Sequence, residues 1–154
     1  MLFRSHGTPL ADLLLGAAGA KATAAADALI GRLGWSLDGA QEMTVDNMER
    51  RFNPTVPDAP GVTYLSYSGS AAPFGAGHKG WLHAELLASW AILDLEHVDS
   101  DGIVPETSAH WGAFQAALPA DHVGECGQPF SFTPGFDHRA FYRMLLQKMH
   151  DAGW

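Results

Sequence analysis

Basic residues are scarce in this chain: 9 Lys and Arg stand against 17 Asp and Glu, giving a net charge of −8. Nucleic-acid binding rests on Lys and Arg neutralising phosphates, so that class of partner is excluded. Cysteine is scarcer still. The single Cys126 cannot build an internal disulfide framework and has no companions for a thiolate metal cage. Long apolar runs are missing too. Leu13 to Ala20 has the look of a signal-peptide core behind Arg4, but Asp12, Pro9 and its Gly-rich, weakly hydrophobic character count against that. Lys21 and Asp27 interrupt the same stretch, which is too short to span a bilayer. A soluble protein with no transmembrane segment is expected, and its compartment is not written in the sequence.

What is present is globular. The 154 residues are 47% hydrophobic, with five Trp and eight Phe to fill an interior, enough for one core and one domain or part of one. Leu10 to Leu33 reads as an Ala-rich helix ending at Gly34. Met43 to Phe52 reads as a short amphipathic helix, capped by Thr44, with Met48 and Phe52 on one face and Asn53-Pro54 as its stop. Val62 to Tyr67 is a β-branched and aromatic run, the best strand candidate. Gly69 to Gly80 reads as loop, and Leu82 to Leu93 as a helix with Leu82, Leu86, Trp90 and Leu93 on its apolar side. Phe114 to Leu118 suits a short strand. Asp137 is placed to cap a last helix in which Phe141, Leu145 and Met149 recur every fourth residue, flanked by Tyr142 and Leu146. Helices separated by short strands give an α/β class, with few strands for a complete doubly wound sheet.

Two residues stand out chemically. Asp101, in Ser100-Asp101-Gly102-Ile103-Val104-Pro105, sits on a tight turn after an apolar segment, and His122 follows in Asp121-His122-Val123-Gly124-Glu125. That order suits the acid and base of a Ser…Asp…His triad. The third member would be a Ser in a G-x-S-x-G elbow, and that pattern occurs nowhere in the chain. Judged alone, Asp101 reads first as a turn carboxylate in an Asp-Gly pair, and His122 is one of eight His. Ser5 precedes His6-Gly7, and Ser68 and Ser70 flank Gly69, but none lies on a strand–turn–helix elbow, so none has the positioned base and oxyanion donors a nucleophile needs. Cys126 is near His122 in sequence, but a small buried hydrophobe is the expectation for it.

Five pieces, in order, resemble the carboxyl-terminal half of bacterial triacylglycerol lipases of the α/β-hydrolase fold. They are His6-Gly7-Thr8-Pro9-Leu10-Ala11-Asp12-Leu13, the span from Met43 to Tyr67, the Ser100 to Pro105 turn, Asp121-His122, and Phe136-Asp137-His138-Arg139-Ala140-Phe141-Tyr142. The resemblance runs along nearly the whole chain. It implies a partial α/β-hydrolase fold, residues 1–154 forming a single incomplete domain of C-terminal strands and helices with lid-region helices. Asp101 would be the acid and His122 the base of a carboxylic ester hydrolase. Measured against that family the early strands, the oxyanion His-Gly loop and the nucleophile elbow are absent from these residues, with Met1-Leu2-Phe3 as the stub of a central strand.

Several further expectations follow from the resemblance. The substrate would be a lipid or short-chain ester once an N-terminal half complements the chain. Self-association through an exposed sheet edge is the other partnership expected. No cofactor is implied. A structural calcium occurs near the base in related lipases, and Gln128 matches one of its ligands, but Gly124 stands where a carboxylate belongs, so no metal site is expected. His78, His83 and Glu85 match no usual zinc spacing and read as loop and helix-start residues. Phe74, Trp81 and Trp90 suit a core, with an acyl pocket or lid hinge as the alternative. A non-catalytic remnant or interaction module is the rival to the enzyme.

Overall fold

Thr8 and Pro9 open the first helix. Thr8 Oγ1 accepts from the Leu10 amide at 3.3 Å, and Pro9 takes the first helical position, where its missing N–H is no loss. In the computed structural model, which describes residues 5–21, 31, 36–128 and 133–153, this helix, α1, spans Pro9–Lys21. The remainder of the Leu10 to Leu33 expectation lies outside the described residues except for Gly31. Helix α2 spans Leu37–Glu42, with Ser36 Oγ accepting from the Gly39 amide.

Helix α3 occupies residues 45–55 in three segments, Val45–Asn47, a π turn at Met48–Phe52, and Asn53–Thr55. Thr44 caps it as expected, accepting from the Asn47 amide. Asn53-Pro54 does not stop it, and the π turn shows why. A proline ring crowds the carbonyl four residues back, and the widened turn, in which the Asn53 amide reaches the Met48 carbonyl, accommodates it. The same widening rotates Phe52 out of the Met48 face: Met48 is buried, whereas Phe52 is 40% exposed.

The first strand, β1, is Leu65–Gly69, later than the Val62 start expected. Val62 instead donates to Ala59 in a turn. The Gly69 to Gly80 segment is not all loop, because Ala71–Ala72 (β2) and Gly80–Trp81 (β3) form a short parallel pair around a 3-10 segment, Pro73–His78. A second 3-10 turn, Ala84–Leu86, leads into α4, Leu87–Leu95. After a further 3-10 turn at Thr107–Ala109, β4 spans Ala113–Leu118 and pairs parallel with β1, Leu65 opposite Ala113 and Gly69 opposite Leu118. Helix α5 is His122–Glu125 and α6 is His138–Asp151. The fold is therefore mixed α/β with small parallel sheets.

Leu10 and Leu14 of α1, Leu86 and Leu93 at α4, and Ile103 make the buried core, with Leu82, Ile92, Val104 and Val123 packed against it. Ile103 and Val104 belong to the acid turn and Val123 to α5. One core thus anchors both the Asp101 turn and the helix that carries His122. Among the described residues, no helix is long and apolar enough to cross a membrane.

Candidate functional site

The carboxyl ends of β1 and β4 lie side by side, and ligand sites of parallel sheets gather at that end. Backbone bonds draw the neighbouring loops together there. Ser70 donates to Leu118, Ala71 to Ser100 and Gly80 to Ser70, each at 2.9 Å. The acid turn closes through a Ser100–Pro105 bridge. Gly102 sits in it at φ +97°, and a Cβ there would meet Leu82 Cδ1 at 2.9 Å, so glycine is required on both counts. From the other side, Thr8 Oγ1 donates to the Ile103 carbonyl at 2.6 Å.

Asp101 is held at both oxygens. Its Oδ1 accepts from the Ile103 and Val104 amides at 2.8 and 2.7 Å. Its Oδ2 lies 2.8 Å from His122 Nδ1. The His122 amide also donates to the Asp101 carbonyl at 2.9 Å, so backbone and ring are tied to the same residue. A carboxylate only accepts, which puts the ring proton on Nδ1 and leaves Nε2 as the basic nitrogen. The Asp101 side chain is 7% exposed and that of His122 is 45%. The acid is shielded and the base faces outward.

Burial by itself would lower the His122 pKa. The hydrogen bond and charge of Asp101, with the charges of Glu125 and Asp121, outweigh it, and the imidazole titrates above its ordinary value. Glu125 moves further. Burial first, then the charges of Asp101 and Asp121 against the opposing pull of His122, push its carboxyl up to about 8. Its carboxyl lies against Gly69, and its Oε1 has no hydrogen-bond partner among the described residues.

A second histidine–carboxylate pair adjoins the first. Asp121, wholly buried, caps α5 by accepting from the Gly124 amide through Oδ1 at 2.8 Å. Its Oδ2 accepts from the His83 amide at 2.6 Å and lies 2.5 Å from His83 Nδ1. His83 does begin a helical turn, as read from sequence, but its ring has this second attachment. Sequence reasoning missed it because residues 83 and 121 meet only through the fold. An Asp directly before a His, in a position to cap a short helix, was the available signal.

The other candidates separate. Among the described residues no Ser or Cys hydrogen bonds to the His122 ring. Ser5 Oγ accepts from the Gly7 amide, and Ser68 and Ser70 are buried. Cys126 is exposed rather than buried, because it falls just past the end of α5. Partial desolvation of the thiol by its neighbours, then the charges of Glu125 and Asp101, raise its pKa, which disfavours the nucleophilic thiolate. Phe74 and Trp81 are not core: they are 83% and 45% exposed and meet edge to face, Phe74 from the Pro73–His78 segment and Trp81 from the outward side of β3. Trp90 is half-buried. The His78 ring lies outside the described residues.

The residues do not fit calcium. A Cβ at Gly124 would run into Thr133 Oγ1 and come within 3.0 Å of Asp121 Oδ1, so the place of a ligating carboxylate is filled. Both Asp121 oxygens are already engaged, and Gln128 is exposed. Among the described residues, no group of three or more His, Cys, Asp or Glu is arranged to hold a metal ion. No protein-family model matches the chain, and no curated protein is significantly similar to it.

Proposed function

We propose that Asp101 and His122 are the acid and base of a carboxylic ester hydrolase of the triacylglycerol lipase type, a finer reading of the α/β fold as part of an α/β-hydrolase. Its nucleophilic serine belongs to a polypeptide segment other than these 154 residues, and its substrates are lipid or short-chain esters. One observation carries the reading, the 2.8 Å contact between Asp101 Oδ2 and His122 Nδ1. With Nδ1–H committed to the carboxylate, Nε2 takes the proton from an attacking serine and returns it to the leaving alcohol. Asp101 holds the tautomer and stabilises the imidazolium. The raised His122 pKa sets the sign of the pH dependence. Base becomes available, and turnover rises, as pH climbs through that value.

The test is complementation. Alone, the chain offers water only general-base help, about 10²–10⁴-fold, and is expected to hydrolyse a short-chain nitrophenyl ester no faster than free imidazole at matched concentration. Co-expressed with a segment bearing a G-x-S-x-G elbow and a His-Gly loop, it is expected to turn over, and His122→Ala to abolish that turnover. Activity of the complemented protein that survives His122→Ala would overturn the assignment. Complex formation without turnover would favour a non-catalytic interaction module.

A further inference from the structure

We infer that His83 and Asp121 form a positioning pair that holds the His122 ring at the angle at which it meets Asp101. The inference rests on the reading of Asp101 and His122 as acid and base, and it gives those two residues a buried support.

Asp121 is the starting point. A carboxylate with no exposure is costly to bury unless its oxygens are satisfied. Three donors satisfy it: the Gly124 amide, the His83 amide and His83 Nδ1–H. The first fixes α5. A four-residue helix cannot sustain itself, so the direction in which His122 leaves the backbone depends on the cap immediately before it. The other two fix Asp121 to a segment remote in sequence. His83 lies between β3, whose neighbour Leu82 donates to Ala72 at 3.2 Å, and the turn that sends Leu86 into the core. The base is therefore positioned from β3 and the start of α4. The acid is positioned through Ile103 and its contacts with Thr8 and the same core. The bond from the His122 amide to the Asp101 carbonyl ties the two backbones together, but the ring keeps its own hydrogen bond only if the supports on both sides are stiff. His83, whose side chain is 14% exposed, is stiff in the required sense because both its backbone and its ring grip one carboxylate oxygen.

The charged groups facing His122 are Asp101 from the acid turn and Asp121 and Glu125 from its own element. Changing His83 leaves all three in place, so its effect on His122 reports geometry rather than lost charge. The experiment follows the His122 ring by proton–nitrogen correlation NMR through a pH titration, in the full 154-residue chain and in three variants. His83→Ala removes the ring donor. His83→Asn returns an N–H donor near the position of Nδ1, and His83→Gln carries the same amide one methylene too far. The unaltered chain is expected to show a protected, downfield Nδ1–H resonance and a His122 titration above the ordinary value. His83→Ala and His83→Gln are expected to lose that resonance and move the titration down, while His83→Asn retains both. Should His83→Ala fail to fold, the Asn and Gln variants still decide, since a purely structural role would not distinguish donor position in the His122 signal. Asn and Gln variants that both match the unaltered chain would overturn the pair's role and leave the Asp101–His122 dyad standing. An unaltered chain with no protected Nδ1–H would remove the dyad itself, and the positioning inference with it.

Discussion

Glu125 makes the clearest prediction at the scale of a residue. Its carboxyl is ordinary in the unfolded chain and titrates at about 8 in the folded one. The folded protein therefore binds more protons between those two values, and stability falls as pH rises through that window. Above it the full cost of burying the charge is present. Glu125→Gln keeps the shape of the neutral acid and cannot ionise, so it is expected to flatten the decline and to be the more stable form at alkaline pH. Urea midpoints measured from pH 5 to pH 9 check this, and parallel profiles would refute it. The sequence made Asp101 and His122 legible because their surroundings are local: a tight Asp-Gly turn and an Asp-His pair are written in adjacent residues. Glu125 and His83 were not legible. What matters about them is a neighbour distant in sequence, Gly69 for one and Asp121 for the other, and only the fold supplies it.

The elements follow the same division. Caps were readable: Thr44 before α3 and Asp137 before α6 both accept the amides that a cap should. The interior of α3 was not, because a proline that usually ends a helix is here absorbed by a π turn. Two-residue strands such as β2 and β3 are too short to carry any period, and a Gly/Pro-rich segment hid them. Asp137 offers a test of how independent the elements are. Hydrogen bonding from the Ala140 amide lowers its carboxyl against the opposing effect of desolvation, helped by the Arg139 amide and the charges of His138 and Arg143. A depressed carboxylate stabilises the fold above its unfolded value and loses that contribution as pH falls through the folded one. Asp137→Ala is therefore expected to speed amide exchange in the first turn of α6 near neutrality, with the difference vanishing in acid. None of the described α6 side chains is fully buried, so the His122 titration should be unchanged. A shifted His122 titration would mean that α6 supports the site more firmly than its packing indicates.

At the scale of the whole molecule the apolar surface is the leading fact. Parallel strands are normally covered on both faces, yet Ala113, Gln115, Ala116 and Ala117 of β4 are exposed. Helix α6 lies nearby, through a Tyr67–Phe141 edge contact and a bond from Lys148 to Gln115. It nevertheless leaves Met144, Leu146 and Met149 between 37 and 66% exposed. Among the described residues the β1–β4 sheet has only two strands, so each has an edge with no named strand beside it. Unpaired edges template association, and exposed apolar side chains reinforce it. The opposing force is the net charge of −8, whose repulsion salt screens over a Debye length of about 8 Å at physiological strength. The isolated chain is therefore expected to associate with rising concentration, and more strongly as salt is added. Sedimentation velocity at low and high salt measures both effects. Ala117→Lys places a charge on the open strand, and Leu146→Lys places one on the α6 face. Each is expected to reduce association while leaving the His122 titration intact. A chain that stays monomeric at every concentration and salt level would show that its edges are already protected, and that the exposed β4 surface does not recruit a partner copy.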